Sequence, residues 1–138
     1  MRDRIYLDAS FFVALQIREH TFHKRAIAKK GLLQDAEICF SMFTLDESIH
    51  AFRKHKIDQF AIKEAIEEDI VFLPHSKLVS YRSELPDMIK YVNEWVFSDL
   101  RSGDALHLFM MKTNGIKKML TFDNDFIERQ DELGIEVI

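Results

Sequence analysis

The chain has 138 residues and a formal net charge of -4, and 47% of its residues are hydrophobic. A chain of this length usually forms one hydrophobic core, so we expect residues 1–138 to form a single domain. The acidic balance argues against a protein that coats nucleic acid by charge alone. It does not exclude a nucleic-acid enzyme, because carboxylates around a bound cation count in this total while the metal does not.

The N-terminal segment and the cysteine content indicate the compartment. Asp8 interrupts the apolar stretch that follows Arg4, and no small-residue cleavage site comes after it, which argues against a signal peptide. No apolar run approaches the ~18 residues that a membrane helix needs. The lone cysteine, Cys39, has no partner for a disulfide and lies in an apolar run. We therefore expect a soluble cytoplasmic protein with Cys39 in its core.

Hydrophobic patterning predicts strands that alternate with helices along the whole chain. Strands are predicted at 4–7, 37–41, 70–73, 117–121 and 135–138. Helices are predicted from residue 10 onward and at 22–33, 44–55, 58–68, 86–95, 102–114 and 125–133. Such an alternation is typical of a mostly parallel sheet that helices cover on both faces. The expected fold class is α/β.

Several residues predict where these elements begin and end. Ser10 is expected to cap the first helix, and Thr44 with Glu47 has the spacing of a capping box. Pro74 is expected to end the third strand, and Gly115 to stop the helix that begins near residue 102.

Four carboxylates lie at the boundaries of these elements, at Asp8, Glu47, Asp104 and Asp123. Asp8 and Asp123 follow predicted strands, whereas Glu47 and Asp104 lie near predicted helix starts. Ligands of open α/β sheets bind beyond the carboxyl ends of the strands, where the strand order reverses, so the four side chains could converge there. Carboxylate oxygens are the ligands that Mg²⁺ and Mn²⁺ prefer. The sequence therefore indicates a site for a divalent cation.

Each acid also has an ordinary structural explanation. Asp8 and Asp104 could complement helix dipoles, and Glu47 could serve only as the capping-box residue. Asp123 and Asp125 could be turn or N-cap residues in TFDNDF. The combination, and no single acid, supports a site.

Two histidines offer a rival arrangement. His50 lies three residues after Glu47, and His107 lies three residues after Asp104, which resembles half of a di-iron carboxylate site in a helical bundle. That arrangement conflicts with at least four strand-like runs and needs further inward-facing carboxylates. We therefore interpret both histidines as partly buried helix residues.

Three motifs, YLDASFFVAL, GDALHLFMMKTNG and KKMLTFDNDF, together with the glutamate after the second strand, resemble the PIN-domain family. The likeness is greatest to the VapC-type toxin ribonucleases of toxin-antitoxin pairs. It implies a three-layer α/β/α sandwich with a mostly parallel four- or five-stranded sheet, in which the first and fourth strands are neighbours. It also implies a Mg²⁺- or Mn²⁺-dependent endoribonuclease that hydrolyses phosphodiester bonds of single-stranded or structured RNA.

The same resemblance assigns roles to individual residues. Asp8, Glu47, Asp104 and Asp123 become the catalytic and metal-binding acids, with Asp125 as a further candidate ligand. Asp104 fits the motif better than the nearby Asp99 does. Supporting positions around the acids fall on Ser10 and Thr121. The resemblance further implies an antitoxin protein that covers the acidic cleft, and a homodimer.

Two other functions remain open at this stage. The chain could be a catalytically inactive PIN-fold module that binds protein or RNA. The segments LDAS and TFDND also superficially resemble motifs of haloacid-dehalogenase-like phosphohydrolases. Ser10 stands where those enzymes carry their second aspartate, which disfavours this alternative.

Overall fold

The computed structural model describes residues 1–82 and 84–138 and contains a five-stranded sheet in which every paired strand is parallel. The strands are β1 (Arg4–Leu7), β2 (Glu37–Phe40), β3 (Ser76–Leu78), β4 (Lys118–Leu120) and β5 (Glu136–Val137). Their spatial order is β3-β2-β1-β4-β5, so successive strands first build outward from β1 on one side and then on the other. The order reverses between β1 and β4.

Helices connect the strands and cover the sheet. They are α1 (Ala9–Gln16), α2 (His23–Ala28), α3 (Leu32–Asp35), α4 (Met42–Lys54), α5 (Gln59–Ile66), α6 (Leu85–Val96), α7 (Ser102–Thr113), α8 (Asn124–Ile127) and α9 (Gln130–Leu133). A π-helical turn, Glu67–Val71, continues α5. Within residues 1–82 and 84–138, no helix is long and apolar enough to cross a membrane.

Strand alternation divides the buried side chains between two hydrophobic cores. Ile5 and Ile38 face the core that α1, α4 and α5 help to form. Tyr6, Cys39 and Met119 face the opposite core, to which α7 contributes. The predicted three-layer α/β/α sandwich is confirmed, with five parallel strands and with β1 and β4 as neighbours. The expected burial of Cys39 is confirmed as well.

The prediction for the third strand is wrong. Half of the predicted segment 70–73, Ile70 and Val71, lies in the π-helical turn, after which the Phe72 amide donates to the Glu67 carbonyl at 2.8 Å. Ile70 and Leu73 are nevertheless buried, and a short buried apolar run has no periodicity that separates a strand from a helical turn. The strand that pairs with β2 begins after Pro74, at Ser76.

Two predicted helices are each divided into two pieces. The predicted helix 22–33 is broken by a turn at Lys29 and Lys30, whose amides donate to the carbonyls three residues earlier. The predicted helix 125–133 becomes α8 and α9, which a turn at Glu128 and Arg129 separates.

Two predicted caps are also wrong. The N-cap of α1 is Asp8, and Ser10 lies inside the helix with its hydroxyl directed to the Asp8 carboxylate at 2.6 Å. The capping box of α4 pairs Ser41 with Thr44, so the helix begins at Met42. Glu47 therefore lies in the second turn of α4, and capping does not account for a carboxylate at this position.

The left-handed backbone at Gly115, just after α7, predicts that a glycine is needed to end this helix. Gly115 has φ +67°, whereas Gly31 has φ -57°, and a Cβ added at either glycine meets no described heavy atom within 4 Å. We expect Gly115→Ala to lower the free energy of unfolding by roughly 1–2 kcal/mol through backbone strain alone. The matched Gly31→Ala should leave stability unchanged or slightly raised. Urea unfolding of both variants measures the difference, and equal effects would contradict this account.

Candidate metal centre

Asp8 is held at the carboxyl end of β1 by two hydroxyl groups. Its Oδ2 accepts hydrogen bonds from Ser10 Oγ at 2.6 Å and from Thr121 Oγ1 at 2.7 Å. Those hydroxyl oxygens accept in turn from the backbone amides of Phe122 and Asp123, each at 3.0 Å. Although Asp8 occupies the N-cap of α1, its side chain makes no capping hydrogen bond. Helix capping therefore does not account for the buried carboxylate at this position.

Three further acids meet beside Asp8. Oxygen atoms of Asp104, Asp123 and Asp125 all lie within 4.8 Å of one another. Asp123 also caps α8, because its Oδ1 accepts from the Asp125 amide at 2.9 Å. Asp104 comes from the first turn of α7 and is only 8% exposed. Among the buried side-chain nitrogen and oxygen atoms in the described part of the chain, the Oδ2 of Asp104 is the one without a hydrogen-bond partner.

Burial and like charges make this group costly in its ionised form. Burial, together with the neighbouring charges of Asp123, Asp8 and Asp125, raises the pKa of Asp104 to about 7. Burial also raises the pKa of Asp123. A divalent cation would remove this repulsion and use the unpartnered Asp104 oxygen. The all-oxygen set of side chains fits Mg²⁺ or Mn²⁺.

Glu47 belongs to a second, adjoining group with Asp8 and His107, whose candidate ligand atoms also lie within 4.8 Å of one another. His107 Nε2 lies 2.6 Å from Glu47 Oε1 and 3.5 Å from Asp8 Oδ1. The His107 side chain is fully buried, whereas that of Glu47 is 41% exposed. A Cβ at Gly103 would lie 3.5 Å from Glu47 Oε1, so Glu47 reaches across to the start of α7. The structure thus brings the four predicted acids to one sheet edge in two neighbouring groups.

His107 connects this site to the interior of the protein. Its Nδ1 lies 2.6 Å from the Tyr6 hydroxyl, which lies 2.7 Å from Ser41 Oγ. Burial lowers the pKa of His107, but the hydrogen bond that its ring makes to the Glu47 carboxylate and the charges of Asp8, Glu47 and Asp104 outweigh burial and leave the pKa above its usual value.

The prediction that His107 is an ordinary partly buried helix residue is wrong. The ring is fully buried and contacts two of the predicted acids. Its position one helical turn after Asp104 was the available signal, since residues three apart share a helix face. Sequence reasoning missed Tyr6 and Ser41 altogether.

Two other candidates lie away from the acids. His50 is exposed on α4. Asp99 lines a separate cavity of about 380 Å³, outside both acid groups.

Comparison with known families gives the relationship of the chain. A family model described as PIN domain matches residues 5–132, which is most of the sequence. The chain belongs to the PIN domain family.

Solved structures share this PIN-domain fold at low sequence identity. VapC20 of Mycobacterium tuberculosis, described as a sarcin-ricin loop cleaving toxin, is 18% identical with a TM-score of 0.69, covering 90% of this chain and 93% of its own. VapBC2 of Rickettsia felis, bound to a DNA fragment from its promoter, is 14% identical with a TM-score of 0.65, covering 97% and 98%. PAE2754 of Pyrobaculum aerophilum is 15% identical with a TM-score of 0.59, covering 99% and 90%. No curated protein matches the chain significantly.

The pKa of Asp104 predicts how the metal-free protein responds to pH. Because this pKa is about 7 in the folded protein against an ordinary 3.8, the folded state holds a proton that the unfolded chain releases. Stability should therefore fall as the pH rises from about 4 through about 7. We expect metal-stripped protein to melt at a lower temperature at about pH 8 than at about pH 5, and Mg²⁺ to reverse part of the loss at the higher pH.

Two variants separate Asp104 from other titrating groups. Asp104→Asn should weaken this pH dependence, whereas Asp99→Asn, outside both acid groups, should retain it. Thermal unfolding followed by circular dichroism gives the comparison. An unchanged pH dependence in Asp104→Asn would contradict the assignment.

Proposed function

We propose that residues 1–138 form a single PIN-like domain that acts as a metal-dependent endoribonuclease, the toxin of a toxin-antitoxin pair. The observation that carries this proposal is the buried Asp104 carboxylate, whose unpartnered oxygen lies among other acids. A protein gains nothing in stability from such an arrangement. A bound cation would explain why a buried carboxylate is placed among other acids.

Asp8, Asp104 and Asp123 are the proposed principal ligands of Mg²⁺ or Mn²⁺. Asp125 is a further ligand in this proposal, and Glu47 binds directly or through water. When bound, the cation supplies Lewis-acid chemistry, which activates water and stabilises the charge that develops on a phosphodiester during hydrolysis. Oxygen ligands with room for water and phosphate are the usual surroundings of Mg²⁺ in such sites.

The side chains of the chain itself orient the reaction. Ser10 and Thr121 donate to one oxygen of Asp8 and so fix the direction of its other oxygen. Glu47, with a partly exposed side chain, can contact water at the mouth of the cleft. No side-chain nucleophile is required, because water is the attacking group.

RNA is the proposed substrate, and a basic side chain near the acids can contact the phosphates of the RNA backbone. Arg101 is exposed at the N-cap of α7, and its positive charge acts to lower the pKa of Asp123, so the guanidinium lies near the acids. Arginine is well suited to phosphate contacts, which position a nucleic acid without selecting its sequence. The description of VapC20 as a toxin that cleaves the sarcin-ricin loop supports RNA as the substrate class. Such an enzyme would act in the cytoplasm.

Cleavage of RNA tests the proposed activity. Wild-type protein should cut a generic single-stranded RNA with Mn²⁺ or Mg²⁺ and stop when EDTA is added. Asp8→Asn and Asp104→Asn should each lose about 100-fold or more in rate, the size of loss expected when a group that stabilises developing charge is removed. Asp99→Asn is the matched control and should retain activity.

The outcomes of this assay are distinct. Metal-dependent activity that survives both site substitutions would overturn the assignment of the acids. A folded wild type that binds RNA or a protein partner and never cuts would favour the inactive PIN-fold module.

The proposal includes a protein antitoxin and a homodimer. The VapBC2 neighbour, a complex bound to promoter DNA, supports an antitoxin for this chain. None of the residues of α6 is buried, and Leu85, Ile89 and Val96 are 74%, 61% and 70% exposed. Exposed apolar residues gathered on one element are typical of a protein-protein contact surface, which supports association with another chain.

Light scattering coupled to size exclusion tests the homodimer. The purified chain should elute with twice its monomer mass of 16.3 kDa, and dilution should not change this value if the dimer is stable. A mass equal to that of the monomer at every concentration would remove the dimer from the proposal and leave the nuclease assignment untouched.

A further inference from the structure

A chain of short hydrogen bonds runs from the sheet to the two groups of acids, which together form the acidic cleft. Ser41 Oγ lies 2.7 Å from the Tyr6 hydroxyl, which lies 2.6 Å from His107 Nδ1. On the other side of the ring, Nε2 lies 2.6 Å from Glu47 Oε1. Ser41, Tyr6 and His107 are each 0% exposed, so water does not compete for the two contacts among them.

The hydrogen on the His107 ring follows from the outer end of this chain. At the inner end, Ser41 Oγ accepts from the Thr44 amide, and either the Ser41 or the Tyr6 hydroxyl can donate to the other. The Tyr6 hydroxyl can donate to His107 Nδ1 when the ring hydrogen lies on Nε2. At the outer end an ionised Glu47 can only accept, and a bare Nε2 would set its lone pair against this oxygen at 2.6 Å. The hydrogen therefore lies on Nε2.

This direction decides between two roles for His107. Its ring nitrogen lies among carboxylates at a spacing suited to a metal ligand, and a ligating imidazole must present a lone pair. An Nε2 that carries a hydrogen donates to Glu47 and faces Asp8 Oδ1 at 3.5 Å. His107 is then a hydrogen-bond donor to the acids, and only carboxylate oxygens remain for the cation.

We propose that Tyr6, acting through His107, is a positioning residue that holds the Glu47 carboxylate at the acidic cleft. The effect on catalysis rests on the nuclease function proposed above, whereas the donor direction of His107 does not. A half-exposed glutamate on α4 would otherwise sample several rotamers. The Tyr6 hydroxyl fixes the His107 ring, and the ring fixes Glu47 relative to Asp104, one turn earlier on α7.

The first test reads the hydrogen on the His107 ring directly. Ring ¹⁵N chemical shifts of the full chain, assigned by triple-resonance NMR, distinguish the two nitrogens. We expect a hydrogen on Nε2 in metal-free protein and an unchanged Nε2 when Mg²⁺ is added. A bare Nε2 in the metal-free protein, or loss of its hydrogen on Mg²⁺ addition, would overturn the proposal. This measurement needs no RNA cleavage, so it stands even if the nuclease function fails.

The second test removes the Tyr6 hydroxyl. Tyr6→Phe should move the Nδ1 signal of His107 and lower kcat for RNA by about 10- to 100-fold, the loss typical of groups that orient the ligands of a metal site. The KM for RNA should stay within about twofold, because Tyr6 is buried and the phosphate contacts are unchanged. The matched control is Tyr81→Phe, since Tyr81 lies outside the helices and outside both acid groups, with its ring packed against Tyr91.

The outcomes separate positioning from folding. Circular dichroism and urea unfolding establish that Tyr6→Phe is folded before its kinetics are compared. A folded Tyr6→Phe with wild-type kcat, or one whose loss lies entirely in KM, would overturn the positioning role. If wild-type protein cuts no RNA at all, the proposed function fails and the NMR result alone decides whether Tyr6 directs His107 toward Glu47.

Discussion

The parallel pairing of β1 with both of its neighbours is the constraint on which the site depends. Tyr6 pairs with Cys39 on one side, and Leu7 pairs with Leu120 on the other. One residue beyond these strands, the same register brings Asp8 level with Ser41 and Thr121. Because parallel strands end at the same edge, these three polar residues lie side by side, each at the start of the segment that follows its strand. The Asp8 carboxylate accepts there from the Thr121 hydroxyl at 2.7 Å. A different strand order would leave these residues apart.

That register makes an electrostatic cost unavoidable. Asp8 and Asp123 follow adjacent strands, and α7 adds Asp104 over the same edge with one oxygen unpartnered. Neighbouring hydroxyls and amides satisfy Asp8 and part of Asp123, but these hydrogen bonds do not cancel the like charges that, together with burial as the larger cause, raise the pKa of Asp104 to about 7. A cation at this edge would cancel them, so the electrostatic cost of the metal-free site and the proposed metal binding have the same origin.

Much of this arrangement could be predicted from the sequence, and the errors have physical causes. Acids that follow parallel strands must lie at one edge, which is why the placement of Asp8 and Asp123 at the same edge could be anticipated. The position of Glu47 in α4 could not, because Thr44-x-x-Glu47 matches the usual Ser/Thr-x-x-Glu/Gln capping box, whereas the box that forms pairs Ser41 with a threonine, Thr44. Likewise the buried run 70–73 had no periodicity to distinguish a π-helical turn from a strand.

The role of His107 depends on a match between two periodicities. Side chains two residues apart on a strand share a face, so Tyr6 and Asp8 both project toward α7. Side chains three apart on a helix also share a face, so Asp104 and His107 both project toward β1. Strand and helix therefore present two polar residues each to the same interface. His107 meets Tyr6 and lies 3.5 Å from Asp8, so one buried ring links the hydrophobic core to the acidic cleft. In the positioning role that we propose for Tyr6, a sheet residue far from solvent therefore orients a glutamate at the surface.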